Sequence, residues 1–95
     1  MATYVILSRI SPQAVPEPKD FKSLAESVEA KIKAECPGVF WRESYATLGR
    51  FDVVDIVDAD DPKQVERAAM IIRFHGRSMT ETLVATPWSK FVAGL

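Results

Sequence analysis

At 95 residues the chain has room for one hydrophobic core and no second one. Its apolar fraction of 47% and charged fraction of 26% are those of an ordinary folded domain rather than a disordered segment. A formal charge of −1, with acids and bases interleaved, gives no electrostatic case for nucleic acid or for an anionic membrane.

Thr3 to Arg9 (TYVILSR) is short and β-rich and reads as a first strand. Ser11 to Pro18 holds Pro12, Pro16 and Pro18 and reads as a loop leading into a helix. Phe21, Leu24, Ala25, Val28 and Ile32 then follow helical spacing, with Lys and Glu filling the other side, so the helix buries one stripe. Cys36-Pro37-Gly38 ends it. Val39 to Leu48 and Phe51 to Ala59 read as a hairpin with Gly49-Arg50 as a two-residue turn. Asp61 is placed as N-cap of a second helix, with Pro62 at its first position and Gln64 completing a capping box. Val65, Ala68, Ala69 and Ile72 form its buried face, and Gly76 stands where it should end. Met79 to Thr86 reads as a fourth strand. After Pro87, the spacing of Trp88, Phe91, Val92 and Leu95 predicts a last helical turn or two that docks somewhere apolar.

The order βαββαβ predicts an α+β, ferredoxin-like fold: a four-stranded antiparallel sheet with both long helices on one face, residues 1–95 forming one domain. In a two-residue turn Leu48 opposes Phe51 and Thr47 opposes Asp52, and opposed residues share a face. Alternation then puts Phe40, Ala46, Leu48, Phe51, Val53 and Val57 under the helices. It puts Trp41, Glu43, Tyr45, Thr47, Asp52, Val54 and Ile56 on the open face, with Tyr4, Ile6, Ser8, Thr80 and Thr82. Asp55 falls on the helix side of a central strand and needs a partner, for which Arg42 is the candidate. The open face measures roughly 400 Å² before side chains are counted. That is as much apolar surface as monomers usually leave wet, so a two-fold homodimer is the simplest cover.

Gly49-Arg50-Phe51-Asp52 followed by VVDIVDADDP resembles the GYD domain family, named for a Gly-Tyr-Asp motif at this hairpin. The match has one residue between glycine and aromatic, and Phe51 stands in place of tyrosine. Tyr45-Ala46-Thr47-Leu48 and Thr80-Glu81-Thr82-Leu83 add to the resemblance, which covers nearly the whole chain. It implies a dimeric α/β barrel. It implies little about activity, since relatives in the wider group include cofactor-free monooxygenases, haem-handling proteins and regulatory ligand-binding domains.

Candidate chemistry centres on Asp52. With Thr47 opposite and Tyr45 diagonal, it is positioned for a polar cluster at the rim of the open face, where enclosure by a partner would suit a general base. The plainer reading is that Asp52 hydrogen-bonds the hairpin turn. Trp41, Glu43, Tyr45, Thr47 and Asp52 are the candidate ligand-binding residues of that face. His75, the sole histidine, sits at the expected C-terminus of the second helix, where it suits the helix dipole. Cys36, the sole cysteine, has no cationic neighbour but Lys33 and reads as an inert thiol of a reducing, cytoplasmic compartment. No His/Asp/Glu/Cys cluster has metal-ligand spacing and no Gly-rich phosphate loop is present, so no cofactor is expected. No apolar run reaches membrane-spanning length, and no secretory signal is seen. Two readings follow: a non-catalytic homodimeric domain binding a small molecule or a protein partner, or a cofactor-independent enzyme, monooxygenase-like or isomerase-like, with Asp52 as acid/base.

Overall fold

The computed structural model describes residues 1–14 and 17–95. Val15 and Pro16, in the proline-rich connection read above as a loop, lie outside the described residues. The elements run β1 (Ala2–Ile10), α1 (Pro18–Glu35), β2 (Val39–Ala46), β3 (Val53–Ala59), α2 (Pro62–Phe74), β4 (Ser78–Ala85) and α3 (Trp88–Ala93). The strands form one antiparallel sheet in the order β2-β3-β1-β4, the ferredoxin-like arrangement, with α1 and α2 on one face.

The helix side of the sheet carries Tyr4, Ile6 and Ser8 from β1 and Asp55, Val57 and Ala59 from β3, all buried. Ile32, Cys36, Val65, Ala68, Ile71 and Ile72 close over them. In β1 this overturns the expected faces. Tyr4 pairs with Val57, Ile6 with Asp55 and Ser8 with Val53, so all three share the helix side; their partners across β4, Val84, Thr82 and Thr80, go with them. Val5 and Leu7 take the open face instead. β1 is apolar on both faces, so alternation alone does not orient it.

β2 departs from simple alternation as well. Trp41 pairs with Val57 and Glu43 with Ile56, so Arg42 is an extra residue, a β-bulge. Trp41 thereby lies on the helix side and Phe40 on the open face, the reverse of the expected assignment. Glu43, Tyr45, Val54 and Ile56 lie on the open face as expected, and Ala46, Val53 and Val57 under the helices.

The hairpin keeps its expected register, with Ala46 opposite Val53 and the Thr47 N–H donating to the Asp52 C=O at 2.9 Å. The strands nevertheless stop two residues short at each side of the turn. The Asp52 N–H donates to the Ser8 C=O, and the Thr47 hydroxyl donates to the Phe51 C=O. Leu48 to Phe51 therefore form a wider loop, with Gly49 at φ 135°, where a side chain would be strained. Leu48 is wholly exposed and Phe51 half-buried, so neither joins the core.

Asp61 caps α2 by accepting the Lys63 N–H at 2.9 Å. Gln64 does not close a capping box: its side chain lies against Gly38 and its Oε1 is buried with no partner among the described residues. Gly76 follows α2, buried, and a Cβ built on it would lie 2.5 Å from the Ile72 carbonyl oxygen and 3.2 Å from Val28. Gly76→Ala is expected to lower stability by about 1–3 kcal/mol in urea titration, because the nearer obstacle is backbone and cannot rotate away.

Candidate functional site

α2 comes within 8 Å (Cα to Cα) of all four strands, whereas among the described residues α1 comes that close to none. The apolar stripe of α1 shows the consequence. Ile32, with Cys36 just beyond the helix, is buried, but Val28, Leu24 and Phe21 are only half-buried and Ala25 is exposed. Between this stripe and β2–β3 lies a cleft of about 660 Å³, a size typical of small-molecule sites.

The strands bring Asp55, Ser44, Ser8 and Ser78 to the cleft floor. Asp55 is 7% exposed; its Oδ1 accepts the Ser44 hydroxyl at 2.6 Å and the Trp41 indole N–H at 3.1 Å. Arg42, its expected partner, instead reaches Asp58 on the opposite face at 3.4 Å, because the bulge turns it there. No cation pairs with Asp55 among the described residues. Ser8 is 3% exposed and its hydroxyl has no partner among the described residues. Ser8 pairs with Val53, so Asp55 is its diagonal neighbour on the same face, about 7–8 Å away. Sequence reasoning missed Ser8 and Ser44 and placed Trp41 elsewhere; a lone Asp in the middle of the run VVDIVDA was the available signal.

The open face holds the remaining candidates without joining them into one cluster. The Tyr45 hydroxyl donates to Glu43 at 2.8 Å, and this neighbouring carboxylate holds the phenol above its ordinary pKa. Asp52 is half-buried, and its Oδ2 accepts the Ile10 N–H at 2.8 Å, tying the hairpin to the end of β1. Thr47 engages the Phe51 C=O rather than the Asp52 carboxylate. Around them Val5, Leu7, Val54 and Ile56 are half-buried, while Phe40, Met79 and Leu83 are exposed.

His75 caps α2 and its Nε2 lies 2.7 Å from the Ser27 hydroxyl, linking the two helices. Cys36 is a free, buried thiol, and burial pushes its pKa up. Among the described residues no helix is long and apolar enough to cross a membrane.

A profile of the GYD domain matches residues 4–94, nearly the whole chain. The protein belongs to the GYD domain family. A Thermus thermophilus protein named "Glutamine synthetase and cystathionine beta-lyase binding protein" is 30% identical over 99 residues, covering 100% of this chain and 99% of its own length. Among solved structures, a match from the same organism superposes with a TM-score of 0.57 at 25% identity, covering 92% of this chain and 95% of that one. The leucine response regulatory protein of Mycobacterium tuberculosis superposes with a TM-score of 0.61 at 16% identity. That match covers 90% of this chain and 51% of the regulator, so this chain spans about half the regulator's length and the likeness is one of fold.

Two outcomes follow from the placement of Asp52 and Cys36. Asp52→Ala should lower stability by about 1–2 kcal/mol in urea titration, since the Ile10 N–H loses a charged acceptor. Iodoacetamide at pH 8 should label Cys36 in the folded protein at least roughly tenfold more slowly than in the unfolded chain, because burial both shields the sulfur and disfavours the thiolate.

Proposed function

We propose that this protein is a non-catalytic binding module that works as a homodimer, closed across the open face of its sheet, and that the dimer docks a protein partner. The observation that carries the proposal is the uncovered apolar surface. Phe40, Tyr45, Met79 and Leu83 are about half exposed or more, around the half-buried row Val5, Leu7, Val54 and Ile56. α3 adds to it. Trp88 is 76% exposed, Phe91 and Val92 are exposed, and α3 packs on no other element among the described residues. An apolar helix left without a berth in its own chain is well suited to reach over a second copy. The binding role draws support from the Thermus relative, which is named for binding two enzymes. A second copy on the open face would bury Glu43 and Tyr45 as a ready hydrogen-bonded pair, a polar contact inside an apolar patch.

The enzyme reading has less support. The Asp52 carboxylate already holds the Ile10 N–H, and Tyr45 is bonded to Glu43 rather than to Asp52. A cytoplasmic location is part of the proposal, supported by the free thiol of Cys36.

Light scattering at micromolar concentration should return twice the chain mass. Ile56→Glu should weaken the dimer by about 3 kcal/mol, roughly a hundredfold in Kd, with the circular dichroism of the fold retained. Wild-type protein that stays monomeric would overturn the proposal.

A further inference from the structure

We propose that the cleft between α1 and the β2–β3 sheet is a binding site for a small hydrophobic amine, whose ammonium group is held by Asp55 and Ser8. This site lies on the opposite side of the sheet from the face assigned to the dimer and does not depend on that assignment.

Three observations converge on it. The cleft is bounded by the apolar side chains of Phe21, Leu24, Val28 and Ile32, and at about 660 Å³ it accommodates a ligand of several rings or branches. Asp55 is a buried carboxylate on its floor whose two donors, Trp41 and Ser44, are both neutral and both fall on Oδ1. A carboxylate removed from water is stabilised far more by a cation than by neutral donors, and the chain supplies none among the described residues. Ser8, also lining the cleft, keeps a buried hydroxyl with no partner among the described residues. A hydroxyl in that position carries both a proton and lone pairs, so it completes the coordination of an ammonium placed between itself and Asp55.

The ligand class follows from this inventory. The buried floor offers a charged acceptor and an amphoteric hydroxyl, and the one cation among the described lining residues, Lys33, lies at the exposed edge 4.0 Å from Glu29, so an acid reaching the floor would set its charge against Asp55. The α1 wall offers mainly carbon from Phe21, Leu24, Val28 and Ile32, with Glu29 and Lys33 only at its exposed edge, so a strongly polar polyamine would lose hydration along most of its length without replacement. A primary amine on an aromatic or branched aliphatic body satisfies both.

The test uses the full chain with 2-phenylethylamine, 3-methylbutylamine and cyclohexylamine as probes and 3-phenylpropanoate as the matched acid. Proton–nitrogen correlation spectra should show at least one amine shifting the Trp41 indole N–H and the Ser8 amide in a saturable manner, with the acid leaving both unmoved. Asp55→Asn keeps the shape and still accepts from Trp41 and Ser44. It should weaken amine binding at least tenfold while melting no lower than the wild type. If Asp55→Asn does not fold, Leu24→Trp, which fills the cleft from α1 and leaves the carboxylate in place, should abolish the shifts. Failure of all three amines to bind would mean that the cleft holds water only and overturns the proposal. Equal binding of amine and acid, or undiminished binding by Asp55→Asn, would overturn it as well.

Discussion

The extra residue at Arg42 governs how this sheet divides its labour. Without it, β2 would present Trp41 to the open face and Arg42 to the helix side, beside Asp55. The bulge between Trp41 and Glu43 reverses that arrangement. Trp41 turns inward, where its indole N–H meets Asp55, and Arg42 turns outward to Asp58, which also accepts the Thr3 hydroxyl at 2.7 Å. The cation is thus spent on a half-exposed carboxylate and the buried one is left with neutral donors. A paired Asp55 would be structural; an unpaired one in a cleft is a site in search of a cation.

The standing-off of α1 is the second consequence of local choices in the sequence. α2 brings the small residues Ala68 and Ala69 to the sheet and packs close. α1 instead sets half-buried Phe21, Leu24 and Val28 over strands whose facing residues, Ser44, Ala46 and Val53, are small and leave the space between them open. Contact is made where α1 meets α2, through Ile32 and Cys36 in the core and through the His75–Ser27 bond at the surface. A helix fixed along one line and lifted elsewhere leaves a wedge of space beneath it.

The order of elements was legible because each had a local cause. These were the helical spacing of Phe21 to Ile32, the Asp61-Pro62 start, and the short β-rich runs broken by glycine and proline. The hairpin register was legible too, since Thr47 and Asp52 do face one another. The faces of β1 were not, because TYVILSR is apolar on both sides and only its partners decide between them. Nor was the bulge, since nothing in FWRES marks Arg42 as the residue without an opposite number. The site went with the bulge. Glu43 and Tyr45 were found on the face where reasoning put them, but Trp41 was not, and Ser8 was given to the wrong side. What the sequence did expose was the misfit of Asp55, a charge in the middle of a core strand, and that misfit marks the floor of the cleft.

The two surfaces make opposite demands, and the fold meets both because they lie back to back. The open face carries a broad apolar patch beside the Arg42–Asp58 and Thr3–Asp58 contacts, and it gains from being covered permanently. The cleft is apolar with a charged floor, and it gains from staying reachable. Covering the first with a second copy leaves Asp55 and Ser8 on the other side of the sheet, although Phe40 and Tyr45 of β2 border both surfaces. Both surfaces are nevertheless built from the same strand pair. Asp55 and Tyr45 lie on adjacent strands, one facing each way, and Trp41 and Glu43 flank the bulged Arg42, so the one extra residue that turns Trp41 into the cleft also turns Phe40 to the open face.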